Sequence, residues 1–325
     1  MKVDTSNFLS DSIKIKSNII DLTSSKDIKI FNNSETNQDT NISINGSNAT
    51  ISINNNAQNS IVPGFIQYNL TITTNEKETF NISIHIDKNA NKEYLDKALT
   101  KLMKILSNMN KDTLNDLGLE LKHILLTDNI IFNKQASGMA IGPLNQMFLS
   151  TEKLAKMSDE ECLTTITHEL GHLIDYSNAP MIHGKATQWY KSEFNNLKKT
   201  IDVNLDFKTD SHMFDSCSEL FADYYAYTKG ALIDTPTRKA KTQFDLLEKY
   251  YTDTNNLSKE ELDTKYGEKS DSVRQVASAW KILKASFHYY LENLNSGYIT
   301  EEARADVNTL PQNYEQLIES QKQNQ

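Results

Sequence analysis

His168, Glu169, Leu170, Gly171 and His172 set two imidazoles four residues apart, with a carboxylate beside the first. On a helix that spacing brings both rings to nearly the same face, one turn apart. Both can then reach one zinc ion at about 2.0–2.1 Å. Glu169 stands next to them, where it can hold a water on the metal. Zinc lowers the pKa of such a water to about 7, so a glutamate can take its proton and later deliver it to a leaving amine. The competing reading is a pair of structural histidines on a helix.

A third ligand must come from elsewhere in the chain. The pattern HExxHxxGxxH requires glycine at 175 and histidine at 178; the residues are Asp175 and Asn178, which excludes that class. The other common solution is a glutamate on a later helix, and Glu219-Leu220-Phe221-Ala222-Asp223 fits it. Glu219 and Asp223 are one turn apart, so one can bind metal while the other accepts the ring N–H of a ligand histidine. Two readings compete with Glu219 as ligand. It can be the far end of a Ser216–Glu219 capping box, or His183 can take the third position.

The run His168-Glu169-Leu170-Gly171-His172-Leu173-Ile174-Asp175, followed by Glu219-Leu220-Phe221-Ala222-Asp223, resembles the protease-domain family of anthrax lethal factor, which includes the secreted Pro-Pro endopeptidases. The resemblance covers residues 88–253. It implies a zincin-like fold, one Zn2+ and endopeptidase activity. It carries metal ligation to His168, His172 and Glu219, and the base role to Glu169. Family members usually place a tyrosine seven residues before the ligand glutamate, where it stabilises the oxyanion. This chain has His212 there. A histidine can also donate a hydrogen bond to a developing oxyanion, so His212 is the expected catalytic substitute, against the alternative of an ordinary loop histidine. Tyr224 and Tyr225 are read as helix packing.

The elements that must position these groups are written around them. Ser158 opens a helix, and Glu161 three residues later completes a capping box. Cys162, Leu163, Ile166, Leu170, Leu173 and Ile174 supply its apolar stripe, and Pro180 marks its end. Further helices are expected over about 185–201, from Asp215 or Ser216 to Gly230, and from Pro236 through Tyr250. Beyond Asp253 the chain reads as polar helices and a Gln-rich tail. Upstream, Tyr94 to Met109 has helical spacing, and Leu119 to Asp128 reads as a buried strand. Ala136 to Ala140, with Gly138, is expected as an irregular edge strand, and the resemblance to zincins implies that it pairs with the extended substrate; a flexible glycine loop is the alternative. A second strand follows at Gln146 to Leu149.

The first eighty or so residues are rich in Asn, Ser, Thr and Ile. Ile42, Ile44, then Asn45-Gly46, then Ala49, Ile51 and Ile53 form a hairpin signal. A second pair spans Phe65 to Thr73 and Phe80 to Asp87, with Phe80, Ile82, Ile84 and Ile86 on one side and Asn81, Ser83, His85 and Asp87 on the other. His85, His123 and His288 are read as surface or strand-face residues, not ligands. The expected class is α+β: a β-rich region over 1–87, a zincin-like catalytic domain with a small twisted sheet over 88–253, and a helical extension over 254–325.

The formal net charge of -9 argues against a nucleic-acid partner, because a phosphate binder needs a basic face. No run of about 20 apolar residues is present, so no membrane span is expected. The start lacks the apolar stretch and cleavage site of a secretory leader. The protein is therefore expected to stay inside, to leave by a leaderless route, or to have lost its leader. Cys162 and Cys217 make at most one bridge, and free buried thiols are expected. Three functions compete: a secreted, effector- or toxin-like metalloendopeptidase acting on a host or surface protein, an intracellular regulatory metallopeptidase, and a non-catalytic interaction protein on a zincin scaffold. The intact Glu169 speaks against the last.

Overall fold

Alternation of Ile with Asn, Ser and Thr after residue 40 suits a sheet with one dry face, because successive strand side chains point to opposite sides. In a computed structural model of the chain these stretches form strands. The structure describes residues 13–14, 21–22, 41–128, 136–177, 190–201, 205–208, 211–236 and 238–295. β1 (Ile13–Lys14) and β2 (Asp21–Leu22) form a separate two-stranded antiparallel ladder, with β1 in contact with β3. The main sheet has seven strands: β3 (Asn41–Asn45), β4 (Ala49–Asn59), β5 (Phe65–Thr74), β6 (Thr79–Asp87), β7 (His123–Thr127), β8 (Gly138–Ile141) and β9 (Gln146–Ser150). Their spatial order is β3-β4-β5-β6-β7-β9-β8.

β3 to β6 form an antiparallel meander, β6–β7 and β7–β9 pair parallel, and β8 returns antiparallel along β9. Both expected hairpins are present, and the expected edge strand is β8. The structure is thus α+β with a mixed sheet. One face of the sheet is the core: Ile44, Ile51, Leu70, Ile72, Ile82, Ile84, Ile124, Leu126, Met147 and Leu149 are buried. The helix α1 (Lys92–Asn108) packs on β3 and β4, and Asn91 caps it by accepting from Glu93 N–H. The strand expected from Leu119 begins only at His123, because Lys111–Glu120 forms α2, capped by Asn110, with Leu114 and Leu117 buried. Leu114 and Leu117 share one helix face at i,i+3, a spacing that no strand presents.

The expected polar face of β6 has one exception. His85 is fully buried, held by Ser60 Oγ at 2.7 Å on Nδ1 and by His123 Nδ1 at 3.0 Å on Nε2.

Chain contacts divide the molecule into two units. The first comprises residues 1–174 with 229–231, and the second residues 175–228 with 232–325. The passage from β6 to α1 near residue 88 lies inside the first unit. That unit also holds α3 (Thr151–Lys156) and nearly all of α4 (Asp159–Ser177).

The second unit is helical: α5 (Lys191–Ile201), α6 (Cys217–Thr228), α7 (Ala240–Asn256), α8 (Lys259–Tyr266) and α9 (Ser270–Asn295). α9 packs on α5 and α7. Its core is aromatic, with Tyr224 stacked edge-on against Trp280 at 5.5 Å and Phe221 against Phe287 at 5.2 Å. The helix expected from Pro236 starts at Ala240 instead. Thr235 and Arg238 close a turn there, Thr235 N–H donating to Arg238 C=O at 2.8 Å, and this turn delays the helix. Among the described residues no helix is long and apolar enough to cross a membrane.

Candidate metal centre

α4 begins as its sequence dictates. Ser158 Oγ accepts from Glu161 N–H at 3.1 Å, and the Glu161 carboxylate accepts from Ser158 N–H at 2.8 Å. This reciprocal cap satisfies two otherwise orphaned donors. The stripe of Cys162, Ile166, Leu170, Leu173 and Ile174 is buried and anchors the helix. The described part of the helix runs to Ser177; Pro180, expected to mark its end, lies outside the described residues.

This anchoring fixes where the motif points. His168 and Glu169 are 4% and 6% exposed, and His172 is half-buried. The two Nε2 atoms converge to 3.2 Å, with the rings nearly perpendicular at 88°. Two nitrogens bound to one tetrahedral zinc at the usual bond length stand about 3.3 Å apart. The same separation is that of a hydrogen bond between two imidazoles, and it is compatible with one ion between them. Glu169 lies over the edge strand: a Cβ built on Gly138 would stand 2.7 Å from Glu169 Cγ and 2.9 Å from its Oε1. Only glycine leaves room for the carboxylate beside β8.

The remaining expected residues belong to the second unit. Ser216 caps α6 by accepting from Glu219 N–H at 3.1 Å, which puts Glu219 in the first turn. The capping role read from the sequence is thus present on the Glu219 backbone, and the side chain has a separate partner. His212, in a one-turn 3-10 helix His212–Phe214, approaches Glu219 Oε2 through Nε2 at 2.9 Å. Its Nδ1 meets Asp215 Oδ2 at 2.7 Å. The hydrogen bond to Glu219 raises the His212 pKa, Asp215 adds to it, and burial and Arg238 oppose it.

The structure thus brings His168 together with His172 in the first unit, and His212 together with Glu219 in the second. His183 lies outside the described residues. Asp223 is fully buried and ion-paired with Arg238. Tyr224 and Tyr225 are buried, Tyr224 O–H meeting His288 Nε2 at 2.7 Å. Cys162 and Cys217 are free and buried, and burial pushes the Cys162 thiol up to about 12.

Three features escaped the sequence reading. Asp215 is a partner of His212 whose only signal is a carboxylate three residues downstream. Ser218 donates to the fully buried Asp175 at 2.8 Å, tying the first turn of α6 to the last turns of α4. The clearance between Gly138 and Glu169 has no sequence signal, because the two are far apart in the chain. Compared with known proteins, the chain matches no family model, no curated protein and no solved structure.

Proposed function

We propose that this chain is a zinc-dependent endopeptidase. In this reading His168, His172 and Glu219 hold the metal, Glu169 is the general base and His212 is the donor to the oxyanion. The observation that supports it most is the 3.2 Å convergence of the His168 and His172 Nε2 atoms. Two imidazoles and a carboxylate also make a donor set that suits zinc.

Bound zinc would supply Lewis-acid polarisation and a water that ionises near neutral pH. With zinc bound, Glu169 would take a proton from that water on its carboxylate and return it to the leaving nitrogen. Gly138 keeps the space that lets the carboxylate stand there. Asp215 holds the His212 ring through Nδ1, and Nε2–H, which faces Glu219 Oε2 at 2.9 Å, would turn to the oxyanion once that carboxylate is bound to zinc. The substrate is an extended protein or peptide segment.

The test is metal content together with cleavage. The purified chain is expected to carry one zinc by elemental mass spectrometry. It should cleave a diverse peptide library, read by mass spectrometry, and a chelator should abolish the cleavage. Glu219→Ala should lose most of the zinc. Full zinc in Glu219→Ala with loss in His183→Ala would move the third ligand to His183. A zinc-free chain, or cleavage indifferent to the chelator, would sink the proposal.

A further inference from the structure

β8 is the last strand of the sheet among the described residues, and its register determines what its open side offers. Gly138, Met139, Ala140 and Ile141 stand opposite Leu149, Phe148, Met147 and Gln146 of β9. Ser150 N–H donates to Ser137 C=O at 2.9 Å, one step before this ladder. Hydrogen-bonded and non-hydrogen-bonded pairs alternate along an antiparallel ladder. Met139 and Ile141 therefore spend their backbone groups on β9, while Gly138 and Ala140 aim theirs at the open edge.

The two side-chain faces of β8 also differ. Gly138 and Ala140 share the face on which Glu169 lies. Met139 and Ile141 point the other way. There they pack with Val62, Phe65 and Ala136 against the buried pair Leu125 and Phe148. Met139 and Ile141 are only partly buried, so this apolar cluster continues to the edge of the sheet.

We propose that Met139 and Ile141 determine substrate specificity, selecting apolar side chains at two alternate positions of an extended peptide paired antiparallel to β8. This rests on the endopeptidase reading. A peptide residue hydrogen-bonded to Gly138 lies beside Glu169. The residue just before it stands opposite Met139, and the residue three before it stands opposite Ile141. Relative to the open edge both are non-hydrogen-bonded pairs, whose Cα atoms approach to about 4.5 Å, closer than the hydrogen-bonded ones. Their side chains meet Met139 and Ile141 directly and extend the apolar cluster, as cross-strand neighbours do. The intervening residue faces Ala140, which leaves space and little selectivity.

The experiment is cleavage of a peptide library by the full zinc-loaded chain, with products aligned on the cleaved bond. Apolar residues should be enriched at two positions spaced by two, with the position between them unrestricted. Met139→Lys should change the nearer position to an acidic preference, lowering cleavage of the original apolar peptides by about tenfold or more. Ile141→Lys should do the same only at the farther position, and neither should alter zinc content. Cleavage with no alternation, or alternation that neither substitution moves, would overturn the inference and leave the peptidase reading standing. Absence of zinc-dependent cleavage would instead overturn the peptidase reading. The inference is then decided by fluorescence anisotropy of labelled ten-residue peptides on the Glu169→Gln chain. Alternating apolar peptides should bind at least about tenfold more tightly than their charged counterparts, and Met139→Lys should erase that difference. Equal binding of both peptides would reject it.

Discussion

The placement of the Glu169 carboxylate depends on the absence of a Cβ at Gly138 on the facing strand, which bears on the proposed base role. Glu169→Gln should keep zinc and fold, because the residue is no ligand in the proposed centre. It should lose cleavage by about 10²–10⁴-fold, the usual worth of general acid–base catalysis. Zinc content and circular dichroism report the first half, and peptide turnover the second; wild-type turnover would remove the mechanism. Gly138→Ala reaches the same carboxylate from the other side. The new Cβ would meet Cγ, near the root of the Glu169 side chain, so the carboxylate must move. A displacement of about 1 Å can cost about 100-fold, and turnover should fall on that scale with zinc intact. His212→Ala should lower kcat by about 10- to 1000-fold with KM and zinc content nearly unchanged, because an oxyanion donor acts only as charge develops. Steady-state kinetics separate this from a loop histidine, whose loss would leave kcat alone. If His212 instead blocks the metal in a latent form, kcat would rise.

Among the elements, α4 was the most legible, since Ser158, Glu161 and the apolar stripe are a complete local description of a capped, half-buried helix. The hairpins were equally plain, because alternation and Asn45-Gly46 are local signals. α2 was missed. Its Leu-rich end adjoins the run that becomes β7, and a short apolar run does not by itself distinguish helix from strand. The sequence also places a change of texture near residue 88, but β7 pairs with β6 across it, Ser83 standing opposite His123. A chain trimmed to residues 88–253 loses β3 to β6, which leaves β7 an unpaired edge and strips the sheet face under α1. Such a fragment should be unfolded or aggregated by circular dichroism and gel filtration. A soluble fragment with a cooperative melt would show that the parallel strands and α4 suffice.

Across the whole molecule, acid should weaken the fold through the His85–His123 pair of the sheet. Burial, with His123 beside it, pushes the His85 pKa from 6.5 down to about 4. A group whose folded pKa is depressed binds protons more readily when unfolded. Its contribution is therefore intact above pH 6.5 and is lost progressively as pH falls towards 4. Urea midpoints of the wild type should drop across that window more steeply than those of His85→Gln, which cannot titrate. Parallel profiles for the two chains would show that His85 does not couple to unfolding.

By itself the sequence determined the things that neighbours along the chain decide. They include the helical pitch that pairs His168 with His172, the cap that starts α4, the strands with one dry face, and Ser216 at the head of α6. Each depends on backbone geometry repeating over a few residues, so the spacing carries the information. Only the tertiary structure decided that Gly138 would shelter Glu169, that Ser218 would meet Asp175, and that His85 would be buried on a nominally polar face. Those contacts join segments brought together by packing, and no local periodicity encodes which side chain meets which across a fold.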